Sequence, residues 1–235
     1  MDLSGRTAVV TGASKGIGAA TATALADAGA AVAICARSRR EIETLGEMIE
    51  DDGGTALAMR ADVRDEFDME RLMEEAAKLG SSNNIDLVVA NAGVYHGDPG
   101  ETPLAEESYS AFDDSIRTNA RGVFATIREA VPHLSEEARV LVPSGAVARN
   151  AQPGYGSYAV SKAAGEALAR GFAAELEQAV GIVDPGQIAT ELTGDQGRRG
   201  PEDAAEMLVW AAGLPAEELD GAVVNLKQFM QAQRS

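Results

Sequence analysis

Seven short apolar runs alternate with longer amphipathic segments along the 235 residues of this chain, and this alternation constrains the fold most. The runs are rich in Val, Ile and Ala and are apolar on both faces, as in parallel strands that helices cover on both sides. They span Arg6–Thr11, Ala30–Ala36, Thr55–Ala61, Ile85–Ala90, Ala138–Val142, Ala179–Asp184 and Ala222–Leu226.

The segments between these runs have the apolar spacing of amphipathic helices. They cover Gly18–Ala28, Arg39–Glu50, Glu66–Leu79, Phe112–Val131, Ser157–Gln178 and Pro201–Ala212. Strands that alternate with helices in this way predict a doubly wound, Rossmann-type α/β fold with about seven parallel strands and helices on both faces. No repeat or linker divides the sequence, so we expect one domain over residues 1–235. Ligands of such folds bind at the carboxyl ends of the strands.

The chain is strongly acidic. It has 37 acidic and 20 basic residues, a formal charge of −17, and only four of the basic residues are lysines. This charge argues against binding to nucleic acid or to an anionic membrane surface, since both need a basic face. The protein is either an acidic mesophilic protein or one adapted to molar salt, where the Debye length falls to ~3 Å. The composition favours the second, halophilic interpretation.

Other classes of protein are disfavoured by what the sequence lacks. No stretch approaches the ~18 consecutive apolar residues of a membrane-spanning helix, and the first residues do not resemble a secretory signal. Cys35 is the single cysteine, so internal disulfides and cysteine-rich metal sites are excluded. The two histidines, His96 and His133, lie far apart and predict ordinary solvated side chains. We expect a cytoplasmic protein without a metal.

A glycine-rich loop follows the first predicted strand, at Thr11–Gly18 (TGASKGIG). Gly12 permits a sharp turn, Gly16 lets the backbone approach a pyrophosphate, and Gly18 lets helix and strand pack closely. The N-terminus of the next helix supplies free N–H groups and a positive dipole end for an anion. The loop predicts a dinucleotide site, which also includes Ser14, Lys15 and Ile17.

The end of the second strand predicts which dinucleotide binds. A carboxylate there would accept hydrogen bonds from the adenosine ribose, whereas an arginine would hold a 2′-phosphate. Here Ala36 precedes Arg37, and Lys15 adds a second cation in the glycine loop. These residues favour NADP(H) over NAD(H), although Arg37 could also be a solvated residue at the start of the next helix.

Tyr158 and Lys162 lie four residues apart in Tyr158–Lys162 (YAVSK), so on a helix they share one face. A phenol with a pKa near 10 is a weak acid–base catalyst at neutral pH, but an adjacent ammonium would lower that pKa. The pair alone could be a surface helix pair. Its position after the fifth strand, downstream of a nucleotide loop, predicts a catalytic role.

Taken in order along the chain, these motifs resemble those of the short-chain dehydrogenase/reductase family. The further motifs that carry the resemblance are Asp62-Val63, Asn91-Ala92-Gly93, Asn119, Pro185-Gly186 and Thr190. The resemblance covers nearly the whole chain and implies an NADP(H)-dependent oxidoreductase that interconverts a carbonyl and an alcohol.

The resemblance also implies a role for each of these residues. Asp62 and Val63 would border the adenine, and Asn91 and Gly93 would support the sheet beneath the cofactor. Pro185 and Gly186 lead to Ile188 and Thr190, which would hold the nicotinamide carboxamide. Tyr158 would exchange a proton with the substrate oxygen, Lys162 would bind the nicotinamide ribose, and Asn119 would hold a water in a proton relay.

The catalytic serine of the family is the main departure. That serine usually lies thirteen residues before the tyrosine, and in this chain the position is Gly145. Ser144 is one residue earlier, and a one-residue insertion in the following loop would restore it to the role of polarising the substrate carbonyl. We therefore predict Ser144 as the functional serine. Without the insertion the site would lack its oxyanion donor, at a cost on the order of 10²–10³ in rate.

Substrate access and assembly are predicted from three further segments. About ten residues, Glu191–Gly200, stand where the family often carries a longer lid, so we expect an open pocket with Tyr95, His96 and Tyr155 at its mouth. The helices Phe112–Val131 and Ser157–Gln178 resemble the family's subunit interface and predict a homodimer or a homotetramer. Their small residues would allow close approach: Ala120, Gly122, Ala125, Ala163, Ala164 and Ala167.

Two functions from different classes remain open. The first is the carbonyl reductase or alcohol dehydrogenase implied above, which Asn119, Tyr158 and Lys162 favour. The second is a catalytically weak NADP(H)-binding sensor or scaffold, which the doubtful serine and the short lid favour. The sequence does not name the substrate.

Overall fold

The computed structural model describes residues 3–81, 83–194 and 197–234. Its centre is a parallel sheet whose seven strands follow the order β3-β2-β1-β4-β5-β6-β7 within these residues. The strands are β1 (Thr7–Thr11), β2 (Ala31–Ala36), β3 (Thr55–Arg60), β4 (Ile85–Val89), β5 (Leu134–Pro143), β6 (Ala179–Asp184) and β7 (Val223–Asn225). The predicted doubly wound fold is confirmed.

Helices cover both faces of the sheet. They are α1 (Gly16–Asp27), α2 (Arg39–Asp51), α3 (Glu66–Ala77), α4 (Tyr109–Ser115), α5 (Gly122–Ala130), α6 (Gly156–Glu175), α7 (Pro201–Ala212), α8 (Ala216–Leu219) and α9 (Leu226–Ala232). One core cluster lies between the sheet and α1, α2, α7 and α9. The other lies between the sheet and α3, α5 and α6. Burial of the strands on both faces explains why their sequences do not alternate between apolar and polar residues.

The order of the strands reverses between β1 and β4. β1 pairs with β2 on one side and with β4 on the other, so the chain connections leave these two central strands in opposite directions. This arrangement opens a crevice at the carboxyl ends of the strands. The glycine loop follows β1 and Asn91 follows β4, so the predicted motifs meet at that crevice.

The predicted helix Phe112–Val131 is interrupted in the structure. A π-helical segment, Ile116–Arg121, separates α4 from α5. π-Turns are rare and often occur at functional sites, and no compositional signal marks this one. The segment contains Asn119, which it presents to the loop after β4 and to α6.

The small residues predicted for subunit contact do not all face outwards. Ala120, Gly122 and Ala125 are buried within the protomer, and a Cβ on Gly122 would lie 2.6 Å from Val63 Cγ2. That part of the prediction is wrong, because these residues pack α5 against its own domain. Exposed apolar side chains on the same predicted helices include Phe112, Phe124 and Val160.

Candidate active site

A cleft of about 830 Å³ runs along the carboxyl ends of the strands. The predicted site residues that line it come from the loops after β1, β2, β3, β4, β5 and β6, from the start of α1 and from α6. They are Gly12, Ser14, Lys15, Gly16, Ile17, Gly18, Arg37, Asp62, Val63, Asn91, Gly93, Ser144, Tyr158, Lys162, Pro185, Gly186, Ile188 and Thr190. The structure therefore brings together almost all of the predicted residues in one cleft; Asn119 lies directly behind its wall.

The glycine loop leaves no room for side chains at two of its glycines. Gly12 has φ +67°, and a Cβ there would lie 2.6 Å from Ala92 Cα. A Cβ on Gly18 would lie 2.3 Å from the Gly12 carbonyl oxygen. The Asn91 amide closes the loop by donating to the carbonyls of Thr11 and Gly12, at 3.0 and 3.2 Å. The loop is thus fixed against β4, with the N-terminus of α1 open to the cleft.

The two cations predicted for a 2′-phosphate have different surroundings. Arg37 is exposed at the end of β2 and lines the cleft. Lys15 lines it too, but its ammonium forms an ion pair with Glu191, which begins the short turn after Thr190. This pair connects the glycine loop with the segment predicted to be the lid.

The predicted adenine end contains a carboxylate that is already paired. The Asp62 side chain accepts hydrogen bonds from Arg64, which also pairs with Asp114. Although burial opposes it, bonding to Arg64 lowers the pKa of Asp62 below its usual value. His96 bonds to Asp114 at 2.9 Å and does not line the cleft. The prediction that His96 lies at the mouth of the cleft is wrong, because its side chain is hydrogen-bonded to Asp114, which does not line the cleft either.

One buried hydroxyl in the cleft has no hydrogen-bond partner among the described residues. Thr118 is 6% exposed, lines the cleft, and its Oγ1 makes no hydrogen bond among the described residues. A buried hydroxyl is costly unless a ligand or water satisfies it. This donor, the glycine loop and the open N-terminus of α1 fit a dinucleotide that lies along the cleft. Sequence reasoning missed Thr118, because a threonine before Asn119 carries no distinctive pattern.

Tyr158 and Lys162 lie on one face of α6, beside the end of β5. The Lys162 ammonium donates to the Pro143 carbonyl oxygen at 3.0 Å and lies 5.9 Å from the centroid of the Tyr158 ring. Burial lowers the pKa of Lys162 to about 8, against the opposing charge of Glu166. Burial also raises the pKa of Tyr158 to about 12. The predicted lowering of the Tyr158 pKa is therefore not seen, because burial outweighs any effect of the ammonium 5.9 Å from the ring centroid.

Asn119 joins three parts of the site. Its Oδ1 accepts from the Val94 backbone N–H at 2.7 Å, and its Nδ2 donates to the Val94 carbonyl and to Ser161 Oγ at 2.8 and 2.9 Å. The side chain thus holds the loop after β4 against α6, one residue from Lys162. Its hydrogen-bonding groups are occupied by the protein, so the predicted relay water would have to meet the backbone of the π-helical segment.

The Ser144 side chain and the Cβ position of Gly145 have different surroundings. The Ser144 hydroxyl donates to the Glu166 carboxylate at 2.8 Å. Gly145 has extended backbone (φ −160°, ψ 166°), and a Cβ there would meet nothing closer than Val147 Cγ1 at 4.0 Å. This geometry favours the alternative in which position 145 faces the substrate and lacks a hydroxyl. The catalytic role of Ser144 stays a prediction.

Tyrosines form the wall of the cleft near Tyr158. The Tyr95 ring lies 4.7 Å from the Tyr158 ring and 6.4 Å from the Tyr155 ring, between centroids. The Tyr95 hydroxyl donates to the Gly154 carbonyl at 3.1 Å, which fixes the ring in place. Tyr95 and Tyr155 therefore stand at the mouth, as predicted.

The predicted lid is short, and the residues at its two ends are paired. Ile188 forms an isolated parallel β-bridge with Arg199, and the Ala189 N–H donates to the Arg199 carbonyl at 2.8 Å. Asp195 and Gln196, which the predicted lid includes, lie outside the described residues.

The described residues also bear on metal binding and on membrane insertion. They contain no cluster of three or more His, Cys, Asp or Glu side chains that could hold a metal ion. None of the helices in the described part of the chain is long and apolar enough to cross a membrane.

Comparison with known proteins places this geometry in a family. The family model for short chain dehydrogenases matches residues 6–199. NADPH-dependent aldehyde reductase 2 of Arabidopsis thaliana chloroplasts is 34% identical over 211 residues, which cover 81% of this chain and 75% of that protein. Versicolorin reductase 1 of Aspergillus parasiticus is 35% identical over 195 residues, covering 81% and 72%.

Solved structures agree with the sequence comparison. A short-chain dehydrogenase from Burkholderia cenocepacia, solved in complex with NADP, superposes with a TM-score of 0.85 at 27% identity. The match covers 97% of this chain and 98% of that one. The parallel sheet, the glycine loop and the Tyr158–Lys162 pair are thus explained together: the chain belongs to the short-chain dehydrogenase family of oxidoreductases.

Proposed function

We propose that this protein is an NADPH-dependent reductase of an uncharged aldehyde or ketone, and that it also catalyses the reverse oxidation of the alcohol. The observation that carries the proposal is the placement of Tyr158 and Lys162 on one face of α6, in the same cleft as the glycine loop. The relatives named as NADPH-dependent aldehyde reductase and versicolorin reductase support the same class of reaction.

The protein's own groups divide the proposed chemistry between them. Bound nicotinamide supplies the hydride that reduces the carbonyl carbon. The Tyr158 phenol, protonated because burial raises its pKa to about 12, gives its proton to the carbonyl oxygen. Lys162 binds the nicotinamide ribose and, once turned from the Pro143 carbonyl, stabilises the phenolate that remains. Asn119 holds the loop after β4 against α6 through its hydrogen bonds to Val94 and Ser161.

The cofactor is NADP(H) in this proposal. Arg37 would bind the 2′-phosphate, and Lys15 would join it when it leaves Glu191. Thr118 Oγ1 would donate to or accept from the bound dinucleotide. Three of the similar solved structures contain NADP, NADPH or a hydroxylated NADP, which supports this choice.

The substrate is proposed to be uncharged because of what surrounds Tyr158. The Tyr95 ring lies beside it and the Tyr155 ring lies next to Tyr95, and the same cleft is lined by the apolar side chains of Val94, Val147 and Leu192. Apart from Lys162, the cations that line the described part of the cleft are Lys15 and Arg37, on the cofactor side. Because Lys162 is assigned to the nicotinamide ribose, a substrate carboxylate would find no other basic partner beside Tyr158 among the described residues, and the overall charge of −17 would repel it.

The alternative proposal is an NADP(H)-binding sensor or scaffold with little turnover. Gly145 favours it, since no hydroxyl stands where the family places its serine. As in the reductase proposal, the sensor or scaffold would be a cytoplasmic homodimer or homotetramer. Its buried Cys35, whose pKa burial raises to about 12, would remain an unreactive thiol.

Oxidation of NADPH against a panel of neutral aromatic and aliphatic aldehydes and ketones, in dilute buffer and in molar KCl, tests the proposal. We expect turnover that Tyr158→Phe reduces at least a hundredfold while NADPH still binds. Tight NADPH binding without turnover on any carbonyl would favour the sensor. Higher turnover in molar KCl would support adaptation to salt.

A further inference from the structure

A buried ionic network continues along the face of α6 that carries Lys162. Glu166, one helical turn after Lys162, is 1% exposed and Asp184, at the end of β6, is 7% exposed. Arg149, from the loop after β5, pairs through one guanidinium nitrogen with Glu166 and through another with Asp184. Charges this deeply buried are unfavourable unless each one is paired. Arg149 therefore pairs with two carboxylates from different elements.

Each carboxylate of the network also contacts a part of the cleft. Glu166 accepts the Ser144 hydroxyl at 2.8 Å. Asp184 accepts the Gly186 backbone N–H at 3.0 Å, in the Pro185–Gly186 turn that leads to Ile188 and Thr190. Arg149 thus connects the loop after β5, the helix that carries Lys162, and the turn at the proposed nicotinamide end.

We propose that Arg149 is a positioning residue of this enzyme, whose guanidinium fixes α6 and the Pro185–Gly186 turn around the nicotinamide end of the cofactor. This inference rests on the proposed function, in that it assigns that turn and Lys162 to the bound dinucleotide. The forked guanidinium suits the task because its separate nitrogens reach two carboxylates at once, whereas a lysine ammonium is a single point charge.

The network also acts on Lys162 through charge. The groups that face Lys162 are the Pro143 carbonyl from β5, and Tyr158 and Glu166 from its own helix. Glu166 in turn meets Arg149, Ser144 and, at 3.5 Å, the more exposed Arg170. The negative charge of Glu166 raises the pKa of Lys162 and so opposes the effect of burial. Removal of that charge would make Lys162 lose its proton at a lower pH.

The test compares Arg149→Lys, Arg149→Met and Glu166→Gln with Arg170→Met, a control that removes the other arginine from the same carboxylate. NADPH affinity is measured by fluorescence titration of the full chain, and the melting temperature is recorded for each variant. Arg149→Lys keeps a charge beside the buried acids, so it can be tested even if Arg149→Met does not fold. We expect Arg149→Lys to weaken NADPH binding about tenfold, and Arg170→Met to leave it within about twofold.

The second measurement is the pH profile of kcat/KM with any carbonyl that the wild type reduces. In Glu166→Gln we expect the alkaline fall of the profile to move to lower pH, a change that loss of stability alone would not cause. The inference is overturned if the Arg149 variants melt earlier but bind NADPH as the wild type does, or if the Glu166→Gln profile is unmoved. Should no carbonyl be reduced, the proposed function fails, while the NADPH titration still decides the role of Arg149.

Discussion

The Ser144 hydroxyl lies 2.8 Å from the Glu166 carboxylate and donates to it, on the side of β5 that faces α6. Side chains alternate between the faces of extended backbone, so the next residue, Gly145, faces the opposite way. Space for a Cβ is open there. Both residues line the cleft, but they divide two features of the family's serine: the Ser144 hydroxyl is bound to Glu166, whereas Gly145 has the family's spacing from Tyr158 and no hydroxyl.

This division leads to a pair of matched variants. We expect Ser144→Ala to lower kcat less than about tenfold, since its hydroxyl serves Glu166, and Gly145→Ser to raise kcat about tenfold or more by adding a donor for the carbonyl oxygen. NADPH affinity should change little in both variants. Steady-state kinetics with a neutral aldehyde is the measurement. A fall of about a hundredfold in Ser144→Ala, without a gain in Gly145→Ser, would restore Ser144 to the catalytic role predicted from sequence.

Cofactor choice is tested at the end of β2. Arg37→Asp replaces the proposed partner of the 2′-phosphate by a carboxylate that repels it, so we expect NADPH to bind at least about tenfold more weakly, with NADH less affected. Arg39→Asp is the control, because it makes the same change of charge at an exposed residue that pairs with Glu43. Dissociation constants for both cofactors decide the matter. An equal loss for NADPH and NADH would remove Arg37 from the phosphate site.

The comparison of sequence with structure shows which properties are local. Burial on both faces of a parallel sheet leaves apolar runs in the sequence, and β6 has the predicted bounds Ala179–Asp184. The glycine loop was also predictable, because tight backbone contact requires glycine at Gly12 and Gly18.

Contacts between residues that lie far apart in the sequence could not be predicted from it. Lys15 meets Glu191 across 176 positions, and Arg149 meets Asp184 across 35. A salt bridge of this kind depends on the packing of whole elements, so the sequence suggested a phosphate ligand at Lys15 and nothing at Arg149. The π-helical turn at Asn119 was missed for a related reason: its residues have ordinary helical composition.

Assembly is tested on the exposed apolar side of α5 and α6. Phe124 is 40% exposed and lies 6.0 Å from Phe172 of α6, between ring centroids. We expect Phe124→Asp to convert an oligomer into a monomer, because a carboxylate would be buried at the subunit contact. Phe67→Asp, at a 71% exposed phenylalanine of α3, should leave the oligomer intact. Light scattering in molar KCl measures both, and a monomeric wild type would contradict the proposed interface.

Lys162 is expected to lower the free energy of unfolding, although the proposed reaction requires it. Burial lowers its pKa from 10.5 to about 8, so the folded state disfavours the charged form that it holds at pH 7. One unit of pKa corresponds to about 1.4 kcal/mol. Replacement by the apolar Lys162→Met should therefore increase the free energy of unfolding at pH 7 by about 1–3 kcal/mol, once the lost bond to Pro143 is subtracted. Reductase activity should disappear in the same variant.

The stability difference between Lys162→Met and the wild type is expected to depend on pH. Below pH 8 both the folded and the unfolded wild type hold the Lys162 proton, and the full penalty of burying the charge applies. Between pH 8 and about 10.5 the unfolded chain binds more protons than the folded one, so the wild type gains stability as pH rises and approaches Lys162→Met. Urea unfolding from pH 7 to 10 measures the difference, with Lys78→Met as a control at a lysine whose side chain is 63% exposed. A Lys162→Met variant that is less stable than the wild type at pH 7 would show that the bond to Pro143 outweighs the buried charge.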